Sequence, residues 1–177
     1  MKRYSLLVTV LLLVGVFFFI SPVFAIMKAL STEELTKMSD KVVVGEVEDV
    51  EAQWSKDGKT IISSVSIAVK KVVKGKVDHA RIVVEYEGGE LGDIGLRVSD
   101  VAPIKKGDHV LLFLKTAQSK KDGIVNTIVG KAQGKYTIDN SGIASKDGFS
   151  LVNGEKVEDT TIPFDKLIEK IMEANNE

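Results

Sequence analysis

Four carboxylates in one short reach of the chain, Glu85, Glu87, Glu90 and Asp93, come nearest to a catalytic set. Paired acids perform general acid–base hydrolysis when a cleft drives their pKa values apart. Glu85 and Glu87 share one face of a predicted strand, while Glu90 and Asp93 fall in a glycine-rich stretch, so the second pair is the one to weigh as a weak carboxylate-based hydrolase. Nothing in the spacing supplies a cleft, and both pairs read as solvated charge. The histidines, His79 beside a turn and His109 at the start of a strand, belong to no His-Glu-x-x-His pair, and no Gly-x-Ser-x-Gly elbow is present. The absence of cysteine removes disulfides, thiolate metal sites and a cysteine nucleophile. Asp139-Asn140-Ser141-Gly142 lacks the further carboxylates of a calcium loop. The expectation is a protein that is not an enzyme, with no catalytic residue, no metal and no cofactor.

The glycine stretch invites a different chemistry. Gly88, Gly89, Gly92 and Gly95 could present backbone amides to an anion, yet a phosphate loop needs Gly-Lys-Ser/Thr opening a helix, and Glu90 and Asp93 would repel a phosphate. The stretch from Gly88 to Val98 reads instead as a wide loop with positive φ angles. It is either purely structural or a binding rim. Its apolar Leu91, Ile94 and Leu96 alternate with polar Glu90, Asp93 and Arg97, the blend of an interface with an apolar centre and a polar margin. Trp54, beside the Asp57-Gly58 turn, is a second candidate: a lone tryptophan near a hairpin tip is a core plug or a contact residue.

Elements must position these residues, and the hairpin signal is the strongest. Lys41 to Trp54 and Thr60 to Val73 alternate as two strands around Ser55-Lys56-Asp57-Gly58-Lys59. Val43, Gly45 and Val47 hold one parity, whereas Val50, Ala52 and Trp54 hold the other, which predicts a β-bulge near Glu48-Asp49. Arg81 to Glu87 alternates as a third strand. The run Val110-Leu111-Leu112-Phe113-Leu114 suits a central strand buried on both faces. Strands follow at Ile124 to Gly130 and Gly134 to Asp139, with a kink at Lys131 to Gln133, and short ones lie around Ile143 and from Phe149 to Val152. Ser31 and Glu34 have capping-box spacing and open a short helix to about Ser39, with Leu30, Leu35 and Met38 as its apolar side. A terminal helix opened by Pro163 carries Phe164, Leu167, Ile168, Ile171 and Met172 at helical spacing, a stripe that packs on the barrel or, alternatively, binds a partner.

Compartment is written in the first residues. Lys2 and Arg3 precede an apolar run from Leu6 to Ile20, and Val23 and Ala25 have the spacing of a cleavage site, so residues 1–25 read as a secretory signal peptide. The alternative is an uncleaved membrane anchor, the only route by which this chain would meet a membrane. Residues 26–177 then form a single domain outside the cytoplasm, about 150 residues long and able to build one core. With 24 basic and 25 acidic residues the whole chain has a net charge of −1, which leaves no electrostatic footprint for nucleic acid.

Several phrases together resemble an uncharacterised family of secreted bacterial and archaeal domains. They are Leu35 with Ser39-Asp40-Lys41-Val42-Val43-Val44-Gly45-Glu46-Val47, Val72-Val73-Lys74-Gly75, Gly88-Gly89-Glu90 with Gly92, Lys106-Gly107-Asp108-His109 running into Val110 to Leu114, and Val129-Gly130 with Gln133-Gly134-Lys135-Tyr136. More remotely, Asp40 to Val47 (Asp-x-Val-Val-x-Gly-x-Val), the following Lys74-Gly75 and the strand Gly107-Asp108-His109-Val110-Leu111-Leu112-Phe113-Leu114 are similar to netrin-like modules and tissue inhibitors of metalloproteases. That similarity implies a mainly β fold, a five-stranded OB-like barrel with an N-terminal and a C-terminal flanking helix. Those inhibitors chelate a protease zinc through an N-terminal cysteine, so an inhibitor of this kind would have to act here without one. The functional expectation is an exported, non-catalytic binding module of the cell envelope or extracellular space, its partner a protein.

Overall fold

The structure is a computed structural model that describes residues 28–101, 103–119, 123–148 and 157–176. The expected signal peptide and the expected strand from Phe149 to Val152 lie outside the described residues. Among the described residues no helix is long and apolar enough to cross a membrane.

The fold is mainly β. In chain order a short helix α1 (Thr32–Met38) precedes β1 (Lys41–Trp54), β2 (Ile61–Lys74), β3 (Arg81–Glu87), β4 (Gly89–Leu91), β5 (Ile94–Leu96), β6 (His109–Gln118) and β7 (Ile124–Ile128). A 3₁₀ turn (Lys131–Gly134) leads into β8 (Lys135–Ile138), β9 (Ile143–Ser145), β10 (Thr161–Pro163) and α2 (Phe164–Asn176). Ten strands are described where five were expected. β8 and β9 answer to the strands expected from Gly134 to Asp139 and around Ile143, whereas β4, β5 and β10 have three residues each, too short for alternation to show in a sequence.

Eight strands form one sheet in the order β1-β2-β3-β7-β6-β8-β9-β10, and β6 also pairs with β1. The pairings thus run from β1 through β2, β3, β7 and β6 and return to β1. All are antiparallel except β3 with β7, which meet in parallel at Val84 and Asn126 alone. Register between β1 and β2 shifts between Val47 and Asp49, leaving Glu48 as the extra residue that the parity change requires. A second shift lies between Val44 and Gly45. There a Cβ at Gly45 would sit 2.5 Å from the Ala68 carbonyl oxygen, so a side chain would push the two longest strands apart.

The apolar run in β6 is buried on both faces because it divides two cores. Val110, Leu112 and Leu114 pack with Val43, Val47, Val65, Ile67 and Val84 on one face of the sheet. Leu111 and Phe113 face the other way and meet Leu35 of α1 and Leu167, Ile168 and Ile171 of α2. Ser31 accepts from the Glu34 amide while the Glu34 carboxylate accepts from the Ser31 amide, the expected capping box. Met38 and Met172, expected on the packed faces, are instead exposed. The apolar stripe of α2 does dock on its own sheet.

Candidate functional site

The stretch from Gly88 to Val98 is not a wide loop. It is a two-stranded hairpin of its own, with Gly89, Glu90 and Leu91 paired to Leu96, Gly95 and Ile94. It is fastened to β2: the Gly88 amide donates to the Ile61 carbonyl at 2.8 Å, and the Ser63 hydroxyl donates to the Gly88 carbonyl at 2.7 Å. Gly89 has φ 132°, and a Cβ there would run into the Ser63 Oγ. Only glycine lets the hairpin lie this close to β2.

Between this hairpin and the segment leading to β6 runs a groove of about 430 Å³. Tyr86, Glu87, Glu90, Leu96, Arg97, Val98, Val101 and Pro103 are on its walls. Of the residues singled out in the sequence, Glu90, Leu96 and Arg97 are brought together here. Leu91, Asp93 and Ile94 occupy the hairpin's tip, outside the lining, with Ile94 more than half exposed. Trp54 is 46% exposed, so it is not a core plug. It shares a strand face with Ala52, whose Cβ lies 3.3 Å from where a Gly89 Cβ would stand. The tryptophan therefore lies on the face of β1 that the hairpin approaches, although it lines neither groove.

A second groove of about 290 Å³ continues from the first, sharing Tyr86, Glu87, Val98 and Val101. It lies where β3 and β7 diverge after their single paired position, and is completed by Ile62, Glu85, Gln118, Thr127, Ile128 and Lys131. The Asn126 side-chain amide donates to the Val83 carbonyl at 2.9 Å, a side chain bridging the two strands where they begin to part. The walls are held by backbone that sequence pattern does not reveal. Asp100 and Lys131 both adopt positive φ, and the Ala132 amide donates to the Asp100 carbonyl at 2.8 Å. The buried Lys135 ammonium donates to the Pro103 carbonyl at 2.6 Å and so ties the wall to β8.

Glu85 and Glu87 are not a solvated pair. Glu87 is exposed, but Glu85 is only 8% exposed and accepts from Ser119 Oγ at 2.9 and 2.8 Å and from Ser64 Oγ at 3.4 Å. The serines on neighbouring elements were the legible signal, though nothing local indicates that they converge. Asp139 accepts from the Ser141 and Ile143 amides and the Ser141 hydroxyl, which makes it a turn and holds its carboxyl below the usual range. Among the described residues no group of three or more His, Asp or Glu could hold a metal ion.

A second polar centre, which the sequence did not suggest, lies beneath the helices. The Lys146 ammonium is buried with no hydrogen-bond partner among the described residues and lies 4.8 Å from the centre of the Tyr136 ring. Burial pulls its pKa down to about 8. Burial likewise pushes the Tyr136 hydroxyl, 3.5 Å from Thr32 Oγ1, well above its usual range. The Thr32 hydroxyl donates to Asp159 at 2.9 Å, and Lys170 reaches both Asp159 oxygens at 2.8 Å. Burial raises the Asp159 carboxyl, but the bonds from Lys170 and Thr32 prevail and hold it below the usual range.

No protein-family model and no curated protein matches the chain.

Proposed function

We propose that this chain is an exported, non-catalytic module of the cell envelope or extracellular space that binds another protein along the two joined grooves beside the β4–β5 hairpin. The observation that carries this reading is a rigidly fastened hairpin with exposed Ile94 at its tip and Trp54 on the face of β1 that it approaches, standing over a concave, mixed apolar and polar surface. Function is concentrated on loops and tips positioned by a stiff scaffold. The scaffold we propose is an OB-like barrel built from β1, β2, β3, β7 and β6. The return of the pairings to β1, the parallel meeting of β3 and β7 and the bulge at Glu48 support it.

The test is a pull-down from the native envelope with the wild type and a Leu91→Ala/Ile94→Ala/Arg97→Ala variant. A folded variant should lose the partners that the wild type recovers. Recovery of the same partners by that variant removes the hairpin from the binding surface.

A further inference from the structure

We infer that the smaller groove is a pocket for one basic side chain, a lysine or arginine of the partner protein, read by Glu85. This rests on the docking reading above and assigns the chemistry of what docks. Ile62, Val98, Val101 and Ile128 give the groove apolar walls, and Glu85 is the nine-tenths buried charge among its lining residues. An ionised carboxylate accepts at about four lone-pair positions. Ser64 and Ser119 offer it one hydroxyl hydrogen each, and Ser119 stands within reach of both oxygens but can serve only one at a time. Among the described residues no cation is paired with Glu85. A buried carboxylate without a cation is costly unless something completes its shell.

A long basic side chain meets both requirements of such a pocket. Its methylene stem lies against apolar walls while its charged end reaches a polar group, here the Glu85 carboxylate. Glu90 stands on the wall of the adjoining groove and adds negative charge. Arg97 in the larger groove and Lys131 in the smaller one oppose a run of positive charge. The pocket therefore fits a single basic residue among apolar neighbours, not a polycation.

Blocked heptapeptides that differ only at the central position, with Lys, Arg, norleucine or Glu, should be titrated into the full chain by calorimetry. The Lys and Arg peptides should bind about tenfold or more tightly than the norleucine peptide, with affinity falling as salt is added, and the Glu peptide should not bind. Glu85→Gln, which keeps an acceptor for the serines, should abolish the preference for Lys over norleucine. Equal binding of norleucine and Lys by the wild type overturns the inference without relying on any variant's folding. So does a folded Glu85→Gln protein that keeps the preference. If no peptide binds while the triple hairpin variant still loses its envelope partner, the inference falls and the docking reading stands. If that variant keeps its partner, the docking reading itself falls.

Discussion

Glu85 and Lys146 are buried to the same degree, each 8% exposed, yet they sit in opposite kinds of place. Lys146 lies beneath α1 and α2, where its ammonium rests on the Tyr136 ring and faces Asp159, Glu33 and Lys170. Glu85 lies at the other part of the sheet, in a groove, with hydroxyls arranged around it. The first charge lies under two helices; the second is held by Ser64 and Ser119 on the wall of a groove. The contrast teaches that burial alone does not assign a role to a charge, and that what matters is whether its surroundings are closed by the fold. The helix-covered region should govern stability, and the grooved region should govern recognition.

The most severe way to test that division is in the core that the helices cover. Leu111→Ala removes a fully buried side chain packed against Leu35 and α2 and should cost about 2–5 kcal/mol, measured by urea unfolding. A loss below about 1 kcal/mol would mean that the helices are only loosely docked.

Lys146 offers a sharper instrument, because its folded pKa of about 8 lies below the ordinary 10.5. Between those values the unfolded chain binds the extra proton, so stability should rise with pH, by up to about 3 kcal/mol across the window. The favourable contribution is lost as pH falls through about 8. Tyr136 acts oppositely: its folded pKa is raised, so its contribution is present below pH 10.0 and declines above it. Chemical denaturation at pH 7, 8, 9 and 10 should show the rise, and Lys146→Met should flatten it while stabilising the protein at pH 7. An unchanged slope in that variant would transfer the effect to another group.

At the other region, Gly89→Ala should cost about 1–3 kcal/mol, because φ 132° and the nearby Ser63 Oγ leave no place for the methyl group. Slower exchange of the Gly88 amide in the variant would contradict this, since its bond to Ile61 should weaken. Ile94→Ala should have the smallest effect on stability, within about 0.5 kcal/mol, and a clear effect on partner capture. A thermal melt and a pull-down on the same preparation separate the two.

Much of the scaffold was legible because its elements are long and regular. The β1–β2 hairpin spans strands of 14 residues each, so parity could be followed far enough to locate the bulge at Glu48. Val110 to Leu114 announced a strand between two cores through its unbroken apolar run, and Ser31 with Glu34 announced a helix start. The grooves were less legible for physical reasons. β4 and β5 have three residues each and hold two of the four glycines of the stretch, so their pairing carries no alternation. The burial of Glu85 depends on Ser119, which lies 34 positions away. Tyr136, Lys146 and Asp159 meet only because β8, the end of β9 and the start of β10 converge under α1 and α2.

The pairing of Lys41 with Leu114 has a consequence for how the molecule comes to exist. β1 finds β2 through a short turn, whereas its other partner, β6, becomes available only after about seventy further residues of chain have been made. Closing a long segment costs conformational freedom before the contacts repay it, and proteins rich in such distant pairings fold slowly. The local hairpin should therefore order early and wait with the other edge of β1, from Lys41 to Glu46, unpaired. Until β6 arrives, that side is an open template for another copy of the chain. Crowded synthesis should thus be the condition under which this protein is most prone to misassemble.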